Sequence, residues 1–238
     1  MRRVAVVTLV VAVPYTVAGL WADRHTDLAA QLLLGLLTAT VFAALLVLHP
    51  RTVRVQTIAL VGVATVGEVV GSLIWGLYSY RLDNLPAFVP PGHGLVFLCG
   101  VALTTLSARR PSFLLGAAIA GAAVWGVAGL TVLPAKDVSG AIGCAVLIAV
   151  LLKTRRPLYA GVFLAVAALE IYGTAVGTWT WQSTVPGLGL SQGNPPSGAA
   201  CGYVVFDVVA LMLAARLGPA MLRGLRTRAR AWAPGVSN

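Results

Sequence analysis

The feature that most constrains this chain is a series of long apolar runs separated by short basic clusters. A helix needs about 20 apolar residues to cross the hydrocarbon core of a bilayer, and most of the runs reach or approach that length. Hydrophobic residues make up 58% of the sequence and charged residues only 10%, whereas a soluble domain carries about 25% charged residues. The pattern therefore predicts an all-α integral membrane protein whose surroundings are the lipid bilayer.

The apolar runs predict eight transmembrane helices. Their expected bounds are 4–21, 29–48, 56–80, 94–107, 112–133, 138–152, 158–181 and 198–217. The fourth and sixth runs are short, so we expect these two helices to begin inside the preceding loops or to lie in a thin part of the bundle.

The positions of Lys and Arg predict the orientation of the helices. If the N-terminus is cytoplasmic, most basic residues fall on the inner side and only Arg24, Arg81 and Lys136 fall on the outer side. This bias favours the plasma membrane with both termini in the cytoplasm. The net charge of +10 comes from these short basic clusters between apolar runs, whose positions signal topology, so no nucleic-acid partner is expected. The basic segment 221–238 is predicted to be a cytoplasmic tail, or alternatively to lie on anionic lipid.

An internal repeat divides the chain into two similar halves. Landmarks recur in the same order: Arg2-Arg3 with Arg109-Arg110, Asp27 with Asp137, and Glu68 with Glu170. The chain is therefore predicted to hold two tandem four-helix repeats, 1–107 and 108–220. Because four is an even number, both repeats have the same orientation, and we expect a pseudo-twofold axis along the membrane normal, as in the parallel repeats of transporters.

The repeat is clearest around a glutamate in the third and seventh runs. Each Glu is followed by Gly and Ser or Thr, a second Gly, two alternating aromatic residues, and then a loop with Pro-Pro. The first copy is Glu68, Gly71, Ser72, Gly76, Tyr78 and Tyr80, and the second is Glu170, Gly173, Thr174, Gly177, Trp179 and Trp181. The Pro-Pro loops, expected on the outer side, carry His93 in the first half and Asn194 in the second.

Three acidic residues are predicted to lie at one depth near the middle of the bilayer: Glu68, Glu170 and Asp207. An acidic residue in hydrocarbon is costly and is a functional candidate by default. A neutral carboxylic acid in an apolar cavity can donate a proton. Asp207 has no acidic counterpart in the first half, which favours a site for an asymmetric substrate. The alternative is that the carboxyl groups only hydrogen-bond neighbouring helices.

The remaining candidates surround these acids. We expect the substrate pocket to include Gly71, Ser72, Trp75, Tyr78, Tyr80, Gly173, Thr174, Trp179, Trp181 and Asn194. The glycines share a helix face with the glutamates and would allow a ligand or another backbone to come close. Aromatic residues are also ordinary membrane anchors, and that alternative stays open. His93 is expected to control proton or water access, or else to make a hydrogen bond in its loop.

These motifs resemble two groups of membrane enzymes of isoprenoid metabolism. The carotenoid hydratase family is similar at Glu68, Gly71, Trp75-Gly76, Tyr78 and Tyr80 and in the Pro-containing loop. The small membrane-bound terpene cyclases are comparable in length and use one intramembrane Glu early in the chain and one Asp late, positions that Glu68 and Asp207 would fill. Membrane-type lycopene cyclases are also built from repeated small helical units. The resemblance implies acid-catalysed cyclisation or hydration.

The sequence therefore predicts an enzyme that protonates a double bond or an epoxide of a lipophilic isoprenoid. Glu68 or Asp207 is the expected catalytic acid, Glu170 the base or an electrostatic stabiliser, and the aromatic residues stabilise positive charge. No cofactor is expected, and no metal, because one His and separated carboxylates form a weak site. Two alternatives are a proton-coupled transporter or permease and a non-catalytic partner in an envelope complex. No feature of the sequence indicates an oligomeric state.

Overall fold

The computed structural model describes residues 1–212, which form a bundle of helices. The helices are α1 (Arg2–Asp23), α2 (Leu28–Leu46), α3 (Arg51–Glu68) with a π-helical continuation (Val69–Ile74), α4 (Val89–Leu106), α5 (Pro111–Thr131), α6 (Val138–Thr154) and α7 (Pro157–Ala175). A further helix, α8, covers Ala199–Met212. The predicted all-helical class is confirmed for this part of the chain. The predicted tail 221–238 and the end of the predicted span 198–217 lie outside the described residues.

Six of these helices are long and apolar enough to cross a membrane: α1, α2, α3 with its continuation, α4, α5 and α7. Helix α6 and the described part of α8 are apolar but shorter. Large apolar side chains face outward, including Leu33 (66% exposed), Ile74 (73%) and Phe113 (74%). Such faces suit contact with lipid rather than with water. The protein is therefore a multi-pass membrane protein, as its sequence predicted.

Helix α4 begins inside the Pro-Pro loop. Its first residue is Val89, earlier than the predicted start of span 94–107, and Pro90 and Pro91 occupy its first turn. Proline is tolerated there because the first backbone N–H groups of a helix have no intrahelical partner. The expectation that this short helix starts within its preceding loop is confirmed.

The predicted spans 56–80 and 158–181 were too long at their ends. Helical structure stops at Ile74 and at Ala175. Gly76 and Gly177 follow with φ of 72° and 76°, values that glycine adopts readily and that end a helix. Strand β1 (Tyr78–Tyr80) and strand β2 (Trp179–Trp181) come next and pair antiparallel. The alternating aromatics therefore belong to a two-stranded ribbon, because a period of two is typical of a strand.

Helix α4 packs against α1, α2, α3 and α7. It approaches α7 closely where Gly100 meets Gly161, since a Cβ added at Gly161 would lie 2.6 Å from the Gly100 carbonyl oxygen. Phe97 and Phe163, each 1% exposed, fill the core beside this crossing. Helix α4 thereby holds in place both α3 and α7, the helices that carry the two glutamates.

Candidate active site

A cavity of about 370 Å³ is bounded by the ribbon and by the helices that carry the glutamates. Its walls are mostly apolar, and the described residues that line it include no Lys or Arg. Small-molecule pockets in proteins span about 300–1,000 Å³ and are mainly apolar with a few placed polar groups. The cavity is therefore large enough for a small lipophilic ligand.

Most of the predicted site residues line this cavity. They are Glu68, Glu170, His93, Gly71, Trp75, Tyr78, Tyr80, Trp179 and Trp181. The repeated motif thus supplies one continuous lining from both halves of the chain.

Glu68 is surrounded by hydrogen-bond donors. Its Oε2 accepts hydrogen bonds from the hydroxyls of Tyr78 and Tyr80, each at 2.7 Å. Its Oε1 lies 3.1 Å from Nε2 of His93, close enough for an ion pair when the imidazole is protonated. The Tyr203 hydroxyl also approaches Oε1, at 3.5 Å. The side chain of Glu68 is therefore fixed in position by groups from the ribbon, α4 and α8.

The two tyrosines of the ribbon remain neutral hydrogen-bond donors. Burial, reinforced by the neighbouring Glu68 carboxylate, raises the pKa of Tyr78 and of Tyr80 well above the usual tyrosine value. Their hydroxyls therefore keep their protons across the physiological pH range.

Glu170 has a simpler environment made of indoles. Its Oε2 accepts hydrogen bonds from Nε1 of Trp179 at 3.0 Å and from Nε1 of Trp181 at 3.2 Å. Its Oε1 makes no hydrogen bond to the described residues, and the Glu170 side chain lines the cavity. One oxygen of Glu170 is thus held by the ribbon, while the other is free to contact a ligand.

The glycines predicted to share a helix face with the glutamates leave space for aromatic rings. A Cβ at Gly71 would lie 3.2 Å from the Tyr78 hydroxyl, and a Cβ at Gly173 would overlap the ring of Trp179. Each glycine therefore lets the ribbon fold back against the helix that precedes it. Gly71 also lines the cavity, whereas Gly173 lies behind the Trp179 ring.

Three other predicted pocket residues lie away from the cavity and have structural contacts. The hydroxyls of Ser72 and Thr174 donate to the backbone carbonyls of Glu68 and Glu170, each at 2.7 Å. Asn194 is exposed, and its Oδ1 accepts a hydrogen bond from the Trp181 backbone N–H at 3.1 Å. None of the three lines the cavity, so they do not occupy the predicted place in the pocket, and their polar atoms contact the backbone instead.

Asp207 is the one predicted catalytic acid that does not line the cavity. It lies on α8, is 1% exposed, and is absent from the cavity lining. Neither of its carboxyl oxygens has a hydrogen-bond partner among the described residues. Tyr203, one helical turn nearer the ribbon, lines the cavity instead. The prediction that all three acids share one chamber is thus wrong for Asp207.

Glu68 and Glu170 also lie closer to one end of the bundle than the sequence suggested. At 1.5 Å per residue, Glu68 is roughly 26 Å from the start of α3 and roughly 9 Å from Ile74. Glu170 is roughly 20 Å from Pro157 and roughly 8 Å from Ala175. The estimate of a central depth counted the ribbon residues as helix, and the correction places both acids in the part of the bundle nearest the ribbon.

Sequence reasoning missed the part played by Asp137. This fully buried residue accepts hydrogen bonds on Oδ1 from the backbone N–H of Gly193 at 3.0 Å, and on Oδ2 from the N–H and hydroxyl of Ser197 at 2.6 and 2.7 Å. It also caps α6 through the Gly140 N–H. Asp137 therefore fixes the loop between β2 and α8 beside the cavity. Its correspondence with Asp27, which caps α2, was the only signal in the sequence.

Tyr203 was also missed. It lines the cavity, contacts Glu68 as described above, and packs its ring against His93 with a centroid separation of 5.2 Å. Its position four residues before Asp207, on the same face of α8, was the available signal.

No protein-family model, curated protein or solved structure matches this chain.

Proposed function

We propose that this chain is a membrane enzyme that protonates a double bond or an epoxide of a lipophilic isoprenoid, with cyclisation or hydration as the outcome. The observation that carries the proposal is the pair of glutamates on one apolar, aromatic-lined cavity, each with a different set of hydrogen-bond donors. A single cavity with two unlike carboxyl groups can both give a proton and take one back.

Glu170 is the proposed acid. Two neutral indole N–H groups contact only its Oε2, so a proton on Oε1 is available to the substrate. Proton transfer from Oε1 to a carbon–carbon double bond forms a carbocation and leaves the Glu170 carboxylate. This assignment differs from the sequence-based expectation, which gave the acid role to Glu68 or Asp207.

Glu68 is the proposed base. Its hydrogen bonds from Tyr78 and Tyr80 stabilise a charged carboxylate, and His93 at 3.1 Å can take or return a proton. After ring closure or capture by water, the cation loses a proton to this group. A shift of the proton from Glu68 back to Glu170 then restores the starting state, and no electrons are exchanged.

We also infer the finer topology from the ribbon and from the basic clusters. Tyr78 pairs with Trp181 and Tyr80 with Trp179, which is the register expected if equivalent strands meet on a twofold axis. In each copy the two aromatics donate to the glutamate of the same copy. These contacts support two tandem four-helix repeats, 1–107 and 108–220, with eight spans. The bias of the basic clusters supports cytoplasmic termini, and with them Pro-Pro loops on the outer side of the plasma membrane.

The experiment is product formation from lipid-soluble isoprenoids by the full chain in nanodiscs. Lipid extracts are searched by mass spectrometry for isomers of each isoprenoid and for products that have gained one water. Glu170→Gln keeps the side-chain shape but removes the acid, and we expect a loss of at least about 100-fold, the low end for acid–base catalysis. Asp83→Asn, at an exposed loop position, is the matched control and should retain full turnover.

Undiminished turnover by Glu170→Gln at a normal protein level would exclude the proposed acid. If no isoprenoid reacts and proteoliposomes instead take up a solute in response to a proton gradient, the protein is a transporter and the enzyme proposal is wrong.

A further inference from the structure

We infer that the cavity is a binding site for lipophilic organic cations, such as a quaternary ammonium group carrying an alkenyl chain. The inference rests on the same cavity as the proposed function, but it requires no catalytic step, so each can fail without the other.

The first argument concerns the polar atoms of the ribbon. The hydroxyls of Tyr78 and Tyr80 and the indole N–H groups of Trp179 and Trp181 all donate to glutamates. These donors are therefore occupied, and the same side chains offer a ligand mainly their aromatic faces. Aromatic faces carry partial negative charge and attract cations, with tryptophan the strongest of the side chains.

The second argument concerns the arrangement of the rings. Tyr78 and Trp181 are tilted by 45° with centroids 4.4 Å apart, and Tyr80 and Trp179 are inclined by 66° at 6.2 Å. Tyr203 adds a further aromatic wall from α8. The two rings of each pair touch one another, so the pairs form one aromatic wall and Tyr203 forms another. A compact ammonium group that packs against both walls would be bound as in the aromatic cages that recognise such groups.

The third argument concerns charge. Two carboxyl groups line the cavity, and His93 is the one described lining residue that can carry a positive charge. An anionic ligand would meet the glutamates without a Lys or Arg to balance it. A cavity lined by one sign of charge within low-dielectric walls attracts ligands of the opposite sign.

The fourth argument concerns the remaining wall. Leu20, Leu34, Phe88, Leu95 and Leu169 line the cavity and present apolar surface. Such a wall binds a hydrocarbon chain, so the fitting ligand combines a cationic head with a lipophilic tail rather than being a small inorganic cation.

The test compares two ligands that differ in charge alone. Geranyltrimethylammonium and its neutral isostere, in which carbon replaces the nitrogen, are titrated into the full chain in nanodiscs, with empty nanodiscs subtracted. Binding is followed by tryptophan fluorescence and by calorimetry. We expect the cation to bind at least about tenfold more tightly, and equal affinity for the two ligands would overturn the inference.

Variants distinguish recognition of the cation by the aromatic cage from general binding of a lipophilic molecule. Trp181→Leu should lose most of the preference for the cation while still binding the neutral isostere, and Trp181→Phe, which keeps an aromatic face, should lose less. Trp21→Leu is the matched control, because Trp21 is 55% exposed and absent from the cavity lining. Unchanged preference in Trp181→Leu would contradict the cage.

If Trp181→Leu fails to fold, Glu68→Gln serves as the second variant, and it should weaken cation binding with little effect on the neutral isostere. Equal loss for both ligands would contradict the inference. Product formation without selective cation binding would overturn this inference alone, and selective cation binding without product formation would overturn only the proposed function.

Discussion

At the residue scale, the chemistry of the site depends on which donors contact each glutamate. A tyrosine hydroxyl can both donate and accept, whereas an indole N–H can only donate. Glu68, held by Tyr78 and Tyr80, therefore belongs to a network through which a proton can move. Glu170, held by Trp179 and Trp181, can exchange a proton only through its free oxygen and the cavity. This difference gives two similar motifs two different roles in the proposed reaction.

Removing one tyrosine hydroxyl should weaken the folded state. Tyr80→Phe keeps a ring that is 5% exposed but leaves Glu68 without one of its donors. We expect a loss of about 1.5–3 kcal/mol in the free energy of unfolding, the range for hydrogen bonds to charged groups. The measurement is denaturant unfolding in detergent, with the exposed neighbour Ser79→Ala as the control near zero. Equal stability of the two variants would show that this hydrogen bond contributes nothing.

The glutamates could be predicted from the sequence, but the position of Asp207 could not. A Glu in a long apolar run, repeated with the same neighbours, indicates a cavity-facing residue, because burying an acidic group in an apolar environment is costly. Counting residues along a helix gives the depth of Asp207 but not the neighbour toward which its side chain points. Tyr203, one turn away on α8, takes the place in the cavity that Asp207 was expected to fill.

At the element scale, the π-helical end of α3 is where the two copies differ in length. The first copy has one more residue between its Glu and its second Gly than the other copy has between Glu170 and Gly177. The segment Val69–Ile74 absorbs this residue, since the Trp75 N–H donates to the Val70 carbonyl, five residues back, at 2.7 Å. The ribbon can then meet Glu68 much as it meets Glu170.

Deleting the extra residue should therefore be tolerated. Without Leu73, which is 54% exposed, the segment can become ordinary α-helix while Glu68 and the ribbon keep their relative positions. Deletion of Ile171, 53% exposed, is the matched control in regular α-helix. That control should rotate Glu170 by about 100° away from its tryptophans and destabilise the protein.

Folded yield by size-exclusion chromatography and melting temperature in detergent distinguish the two deletions. If the Leu73 deletion is as harmful as the Ile171 deletion, the π-helical segment has a role beyond accommodating one residue.

The helices could be predicted at this scale, but the ribbon could not. Runs of about 20 apolar residues identify spans by length alone. Three-residue strands are too short for a reliable period, and Tyr-Ser-Tyr and Trp-Thr-Trp directly follow helices in apolar sequence. The helices end and the strands begin because Gly76 and Gly177 adopt a positive φ. A sequence does not show which of its glycines adopt that conformation.

At the scale of the whole molecule, the ribbon joins the two halves of the chain over the candidate site. Ser79 lies opposite Thr180, and a tyrosine–tryptophan pair flanks them on each side. The glutamates of the two halves then face one cavity because their own ribbon strands are paired with each other. Each glutamate keeps donors from its own half, but both line a single cavity only where the two strands meet, so the two-glutamate site requires the halves to be assembled.

A cross-link can test this assembly directly. Opposed residues in such an antiparallel pair have Cα atoms about 4.5–5.5 Å apart, within the roughly 4.4–6.8 Å that a disulfide allows. Ser79→Cys with Thr180→Cys should therefore form an intramolecular disulfide on mild oxidation, because both side chains are exposed. The native cysteines are buried and should not compete.

With a protease site inserted between Arg109 and Arg110, the cleaved halves of the double variant should stay joined on a non-reducing gel and separate after reduction. Ser79→Cys with Ser183→Cys, displaced along the chain from the opposed position, is the control that should separate under both conditions. Separation of the Thr180 variant on the non-reducing gel would show that the ribbon does not form in the membrane. The shared cavity, and with it the two-glutamate chemistry, would then lack its structural basis.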